Sequence, residues 1–253
     1  MAFSLLPASL PPLPWTRRQQ QQTQAIVDPI FNPPVRQLTS QGIDVSLEDR
    51  WLVLGATGTG KTTFARKLIQ QLHSIYPNIP VYILDSKMYN DFAEWHGNGG
   101  LWADERVPPP ITHGFQVWQP QIDDQDTYAQ WFDQLLRTPG PAITLIDEIS
   151  SIGKNKGDAP REFERLLKQG RALGKLTINC SQEMAGVPKQ IKSQTTHVVR
   201  FRMANTGYDN QQANRIMGRE NNDPEPRAQY GFFYRRIDKF MQVVEYATHK
   251  DFF

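Results

Sequence analysis

The chain has 253 residues, 39% of them hydrophobic and 21% charged, with a formal net charge of +2. That length allows one large α/β domain or two small ones, and no apolar run approaches the ~20 residues that a membrane-spanning helix needs. A single cysteine, Cys180, excludes an internal disulfide, and His73, His96, His113, His197 and His249 show no metal-ligand spacing.

Residues 1–46 read as a Pro/Gln-rich arm. Met1 to Trp15 is apolar but broken by Pro7, Pro11, Pro12 and Pro14, and Arg17 and Arg18 follow it. A secretory leader has the reverse order, so the chain is expected to be soluble and not secreted. The Gln19–Gln22 run and Pro29, Pro33 and Pro34 cannot build a packed core. The arm is a candidate contact for a neighbouring subunit or another protein, and a tail with no role is the alternative.

The domain proper is expected over 47–253. Trp51-Leu52-Val53-Leu54 suits a buried strand, and Phe64, Ala65, Leu68, Ile69 and Leu72 follow a helical period. Between them lies Gly55-Ala56-Thr57-Gly58-Thr59-Gly60-Lys61-Thr62, which fits the phosphate-binding pattern G-x-x-x-x-G-K-[ST]. Glycines let backbone N–H groups turn toward a phosphate, and the helix start adds unsatisfied donors. Gly55, Thr57, Gly58, Gly60, Lys61, Thr62 and Thr63 are the candidate ATP-binding residues. Lys61 would place an ammonium on the β- and γ-phosphates, and Thr62 would ligate Mg²⁺.

Pro80 to Leu84 reads as a strand ending in Asp85-Ser86-Lys87. Asn90 to Pro110 follows no period and is expected to be a long surface loop. Gly114 to Trp118 suits another strand. The acidic Asp123, Asp124 and Asp126 open a helix to about Arg137, stopped by Thr138-Pro139-Gly140-Pro141. Ala142 to Ile146 then leads into Asp147-Glu148. Asp147 would hold Mg²⁺ and Glu148 would polarise the attacking water. A strand ending in solvated acids is the alternative.

Ser150 to Ala159 reads as a polar loop, Pro160 to Leu173 as a helix stopped by Gly174, and Leu176 to Gln182 as a strand ending in an amide placed to sense the γ-phosphate. A further strand (195–203), a helix (208–217) and a hairpin (231–234 with 240–244) complete the domain. Residues 1–149 hold 10 basic and 15 acidic side chains, net −5, and residues 150–253 hold 18 and 11, net +7. The basic half is a plausible footprint for nucleic acid, with an ordinary solvated surface as the alternative.

Together the phosphate loop, Leu84-Asp85-Ser86-Lys87, Leu145-Ile146-Asp147-Glu148, and Gly170-Arg171-Ala172-Leu173-Gly174 ahead of Ser181-Gln182 resemble the FtsK/HerA superfamily of P-loop ATPases. The resemblance spans about residues 50–200. It implies an α/β fold, a mainly parallel P-loop NTPase sheet (ASCE/RecA-like) with helices on both faces. It also implies an ATP hydrolase that forms a homo-oligomeric, typically hexameric, ring and moves double-stranded DNA.

The short chain and its arm look most like the genome-packaging ATPases of double-stranded DNA viruses. That places it in a host cytoplasm or with the virion, with a capsid or membrane protein as a candidate partner of the arm. Glu183 stands where the family's strand end carries a basic residue. By the same resemblance Arg171 is a candidate arginine finger, with Arg161 and Arg165 as competitors. The alternatives are an FtsK/HerA-like assembly or secretion ATPase that does not act on DNA, a small-molecule kinase, and a nucleotide-binding scaffold.

Overall fold

A computed structural model describes residues 36–37, 43–87, 90–96, 101–102, 107–120, 124–153, 158–204, 207–221, 223–239 and 242–253. Most of the arm, the Gln19–Gln22 run and residues 154–157 of the polar loop lie outside them. β1 (Arg36–Gln37) and β2 (Asp44–Val45) form an antiparallel pair.

The other strands are β3 (Arg50–Leu54), β4 (Val81–Leu84), β5 (Leu101–Trp102), β6 (Phe115–Trp118), β7 (Ala142–Ile146), β8 (Lys175–Ser181), β9 (His197–Arg200), β10 (Phe232–Arg236) and β11 (Val244–Tyr246). They make one nine-stranded sheet in the order β11-β10-β9-β3-β8-β7-β4-β6-β5. Pairing is parallel from β9 to β5, and β10 and β11 add an antiparallel hairpin.

Side chains alternate across the sheet as strand geometry requires. Trp51 and Val53 of β3 join the core under α1 (Lys61–Ile75). Leu52 and Leu54 join the opposite core, under α2 (Gln125–Arg137), α3 (Arg161–Gln169), α4 (Lys189–Gln194) and α5 (Gly207–Met217). The fold is the expected mainly parallel α/β sheet with helices on both faces. The strand carrying the phosphate loop, β3, is separated from β7 by β8. Connections leave the neighbouring strands β3 and β8 in opposite directions, β3 toward β4 and β8 toward β9, and ligands of open α/β sheets bind at such a point, beyond the carboxyl ends of the strands.

Several sequence expectations are corrected. The stretch 90–110 is more than a loop: it holds a 3₁₀ turn, Asn90–Trp95, and edge strand β5. Phe92 and Trp95 are buried there, and Trp95 stacks on Phe115 with ring centroids 4.9 Å apart. Two aromatic anchors in a polar stretch leave no period to read.

The 160–173 helix ends at Gln169 and tightens to a 3₁₀ turn, Gly170–Leu173, capped by Gly174 at φ 66°. The second hairpin strand is Val244–Tyr246, later than the 240–244 stretch, because register pairs Phe232 with Tyr246. The core also reaches upstream of Leu47 to take in Ile43 and Val45. Among the described residues no helix is long and apolar enough to cross a membrane.

Candidate active site

The phosphate loop leaves β3 and enters α1 with Gly58 at φ 78° and Gly60 at φ 98°, conformations that favour glycine. A Cβ on Gly55 would meet Phe201 Cβ and Thr59 Oγ1 at 2.7 Å, so close packing fixes that position as well. Neighbouring strand ends hold the loop: Gly55 N–H donates to the Ser181 carbonyl (3.1 Å) and Ala56 N–H to that of Arg202 (2.8 Å). His249 Nε2 lies 3.0 Å from the Gly60 carbonyl, which also accepts the Phe64 N–H (2.9 Å). The first turn of α1 starts at Lys61, so N–H groups there have no partner within the helix. A cleft of about 520 Å³ opens on this turn, lined among others by Lys61, Thr62, Thr63, Lys87, Gln182 and Tyr230.

Asp147 and Glu148 follow β7, and Gln182 follows β8. Glu148 Oε1 accepts from Ser150 Oγ (2.7 Å), Ser181 Oγ (3.2 Å) and the Gln182 N–H (3.4 Å). Its Oε2 is buried and accepts no hydrogen bond among the described residues. Three donors thus pin one oxygen and leave the other as the group's open acceptor. The Thr57 hydroxyl donates to Gln182 Oε1 at 2.8 Å, which ties the phosphate loop to the β8 end.

Asp147 is fully buried, and neither oxygen accepts a well-formed hydrogen bond among the described residues. Oδ1 in particular has no donor near it, and a buried carboxylate oxygen of that kind suits a hard cation. Mg²⁺ needs only one or two protein oxygens when phosphates supply others, and Asp147 with the Thr62 hydroxyl fits that requirement.

The structure adds residues that the sequence reading did not assign. Lys87 Nζ lies 2.8 Å from Asp147 Oδ2 and 3.9 Å from Glu148 Oε2. Burial works against its charge, but Asp147 and then Glu148 outweigh burial and hold its pKa above the ordinary lysine value. The signal was present as a lysine just after a buried apolar run. Its partners lie about 60 positions on, so spacing did not reveal them.

Asp85, beside it, is pushed up to about 6, chiefly by burial and further by the charge of Asp147, while the Gln119 amide works the other way. His249 had no sequence signal at all. The Cys180 thiol is buried and pushed up to about 12 by desolvation, which keeps it protonated.

Arg171 is not brought to this cleft. It sits in the 3₁₀ turn before β8, whereas Gln182 follows that strand's other end. Seven extended residues separate the two by roughly 20 Å. Arg165 pairs with Asp133 at 3.4 Å, and Arg161 is exposed at the start of α3.

A family model described as the central domain of helicase HerA matches residues 38–106. The genome packaging NTPase B204 from Sulfolobus turreted icosahedral virus 2, solved with AMPPCP, superposes with a TM-score of 0.63 at 13% identity, over 80% of this chain and 98% of that one. The fold is that of a HerA/FtsK-like P-loop ATPase.

The conjugation coupling protein TcpA of pCW3, solved with ATPγS, superposes at TM-score 0.58 and 17% identity, over 95% of this chain and 70% of its own. The type VII secretion ATPase EccC of Thermomonospora curvata matches at TM-score 0.52 and 12% identity, over 86% of this chain and 28% of its own. No curated protein matches the chain by sequence.

Proposed function

We propose that the chain hydrolyses ATP with Mg²⁺ and uses the cycle to translocate double-stranded DNA in a ring of identical copies, as in viral genome packaging. The observation that carries this reading is the meeting of the Gly55–Thr62 loop with Glu148 and Gln182 through one chain of hydrogen bonds. In this reading Lys61 and the α1 N-terminus bind the phosphates, while Gly55, Thr57, Gly58, Gly60 and Thr63 complete the cradle. Thr62 and Asp147 hold Mg²⁺, which when bound offsets phosphoryl charge.

Glu148 accepts a proton from water at its open Oε2, and Gln182 positions that water against the γ-phosphate. Arg171 serves a neighbour's nucleotide, because it lies at the far end of the sheet from its own. The likeness to B204 and the net +7 of residues 150–253 support DNA as the cargo. Contacts with phosphates would be salt-dependent and blind to sequence.

The likeness to EccC favours one second reading, a secretion or assembly ATPase that does not act on DNA. Turnover measured with and without double-stranded DNA across salt, on protein of known oligomeric state, separates the two. Stimulation by DNA that fades with salt is the expected result. Turnover indifferent to DNA at low salt favours the secretion reading. Glu148→Gln is expected to keep ATP binding and lose at least ~10²-fold in turnover; unchanged turnover would remove Glu148 as the base.

A further inference from the structure

We propose that Lys87 is a tethered cation that competes with the divalent metal for Asp147, so that this carboxylate captures metal only together with a nucleotide. The inference rests on the reading of Asp147 as a metal ligand and goes beyond it, since it concerns the order in which the site fills.

The geometry begins with strand pairing. β4 lies beside β7 with Leu84 opposite Ile146, and the Asp147 N–H donates to the Leu84 carbonyl at 3.0 Å. The two strand ends therefore leave the sheet side by side. Asp85 is fully buried and accepts from Gln119 Nε2 at 2.7 Å and from the Lys87 N–H at 3.3 Å. That turn anchors the Lys87 backbone. Its side chain is 17% exposed and lines the same cleft as Lys61 and Thr62.

The energetics follow from the acidic pair. Two adjacent buried carboxylates repel each other, and a buried charge without a counter-charge is costly. No hydrogen bond of good geometry relieves Asp147 among the described residues. The ammonium 2.8 Å from Oδ2 is therefore what balances it. A metal ion approaching alone must displace that ammonium, and it gains only Asp147 and the Thr62 hydroxyl from the candidate ligand set.

A metal arriving with ATP brings phosphate oxygens as ligands. The same phosphates offer the displaced Lys87 a new anion across the cleft. An ordinary structural ion pair would cost stability when broken but would not change the nucleotide dependence of metal binding.

The test is Mn²⁺ binding by the full chain, read from the EPR signal of the free ion, without and with AMPPNP. Wild type is expected to bind Mn²⁺ weakly without nucleotide. Lys87→Met should bind it at least ten-fold tighter, Lys87→Arg should behave as wild type, and Lys87→Met with Asp147→Asn should be weak again. Equal nucleotide-free affinity of wild type and Lys87→Met overturns the proposal, as does tight binding that survives Asp147→Asn. Where Lys87→Met does not melt cooperatively, Lys87→Gln carries the same comparison. Turnover that depends on Glu148 while the Mn²⁺ comparison fails removes the Lys87 proposal alone. Absent turnover with the Mn²⁺ comparison intact removes the hydrolase reading instead.

Discussion

At the scale of single residues, the site is a set of charges held against burial. Asp85 states the cost most clearly, because its carboxyl is pushed from 3.8 up to about 6, chiefly by desolvation. The folded state therefore holds this proton more tightly than the unfolded chain does. The resulting stability is fully present below about pH 4 and is lost as pH rises through about 6. Asp85→Asn, which keeps an acceptor for Gln119, should raise the melting temperature at pH 8 and leave it unchanged near pH 4. The gain at pH 8 is bounded on the order of 2–3 kcal/mol, and thermal melts of both proteins across that range check it. Among single residues, Gly55 to Thr62 were legible because the pattern is local. Asp147 and Glu148 were legible because they end an apolar run. Lys87 and His249 were not, because each is defined by what lies against it in the fold and not by its neighbours in sequence.

At the scale of elements, apolar runs gave the central strands, the 3.6-residue period gave α1, and the acidic start with the Thr138-Pro139-Gly140-Pro141 stop gave α2, the helices within a residue or two. The start of α2 shows what composition leaves open. Carboxylates were expected there for the helix dipole, but Asp124 does more, accepting from the Asp126 and Thr127 N–H groups at 3.3 Å and from Thr127 Oγ1 at 2.9 Å. Asp124→Ala should cost about 1 kcal/mol, read as a lower urea midpoint with unchanged slope. Short elements were illegible for a different reason. β5 has two residues and α4 six, too few for any period, and tertiary pairing alone makes them.

At the scale of the whole molecule, the sheet sets the cleft and Arg171 at opposite ends of β8. A head-to-tail contact between copies, the kind that closes rings, would bring one chain's turn to the next chain's phosphates. Arg171→Ala and Glu148→Gln should each be nearly inactive alone, the former by ~10³-fold. Mixed in equal amounts and allowed to exchange, they should regain up to about a quarter of wild-type turnover, since one contact in four pairs an intact site with an intact arginine. No recovery would place the finger elsewhere, with Arg161 and Arg165 as the next candidates.

The hydrogen bonds that shape the phosphate loop from outside go to Ser181, Gln182, Arg202 and His249, the last of them 189 positions from Gly60. A growing polypeptide therefore carries the full nucleotide-binding motif long before it carries the residues that give it form. During synthesis the loop gains these anchors one by one, the last only once His249 is in place.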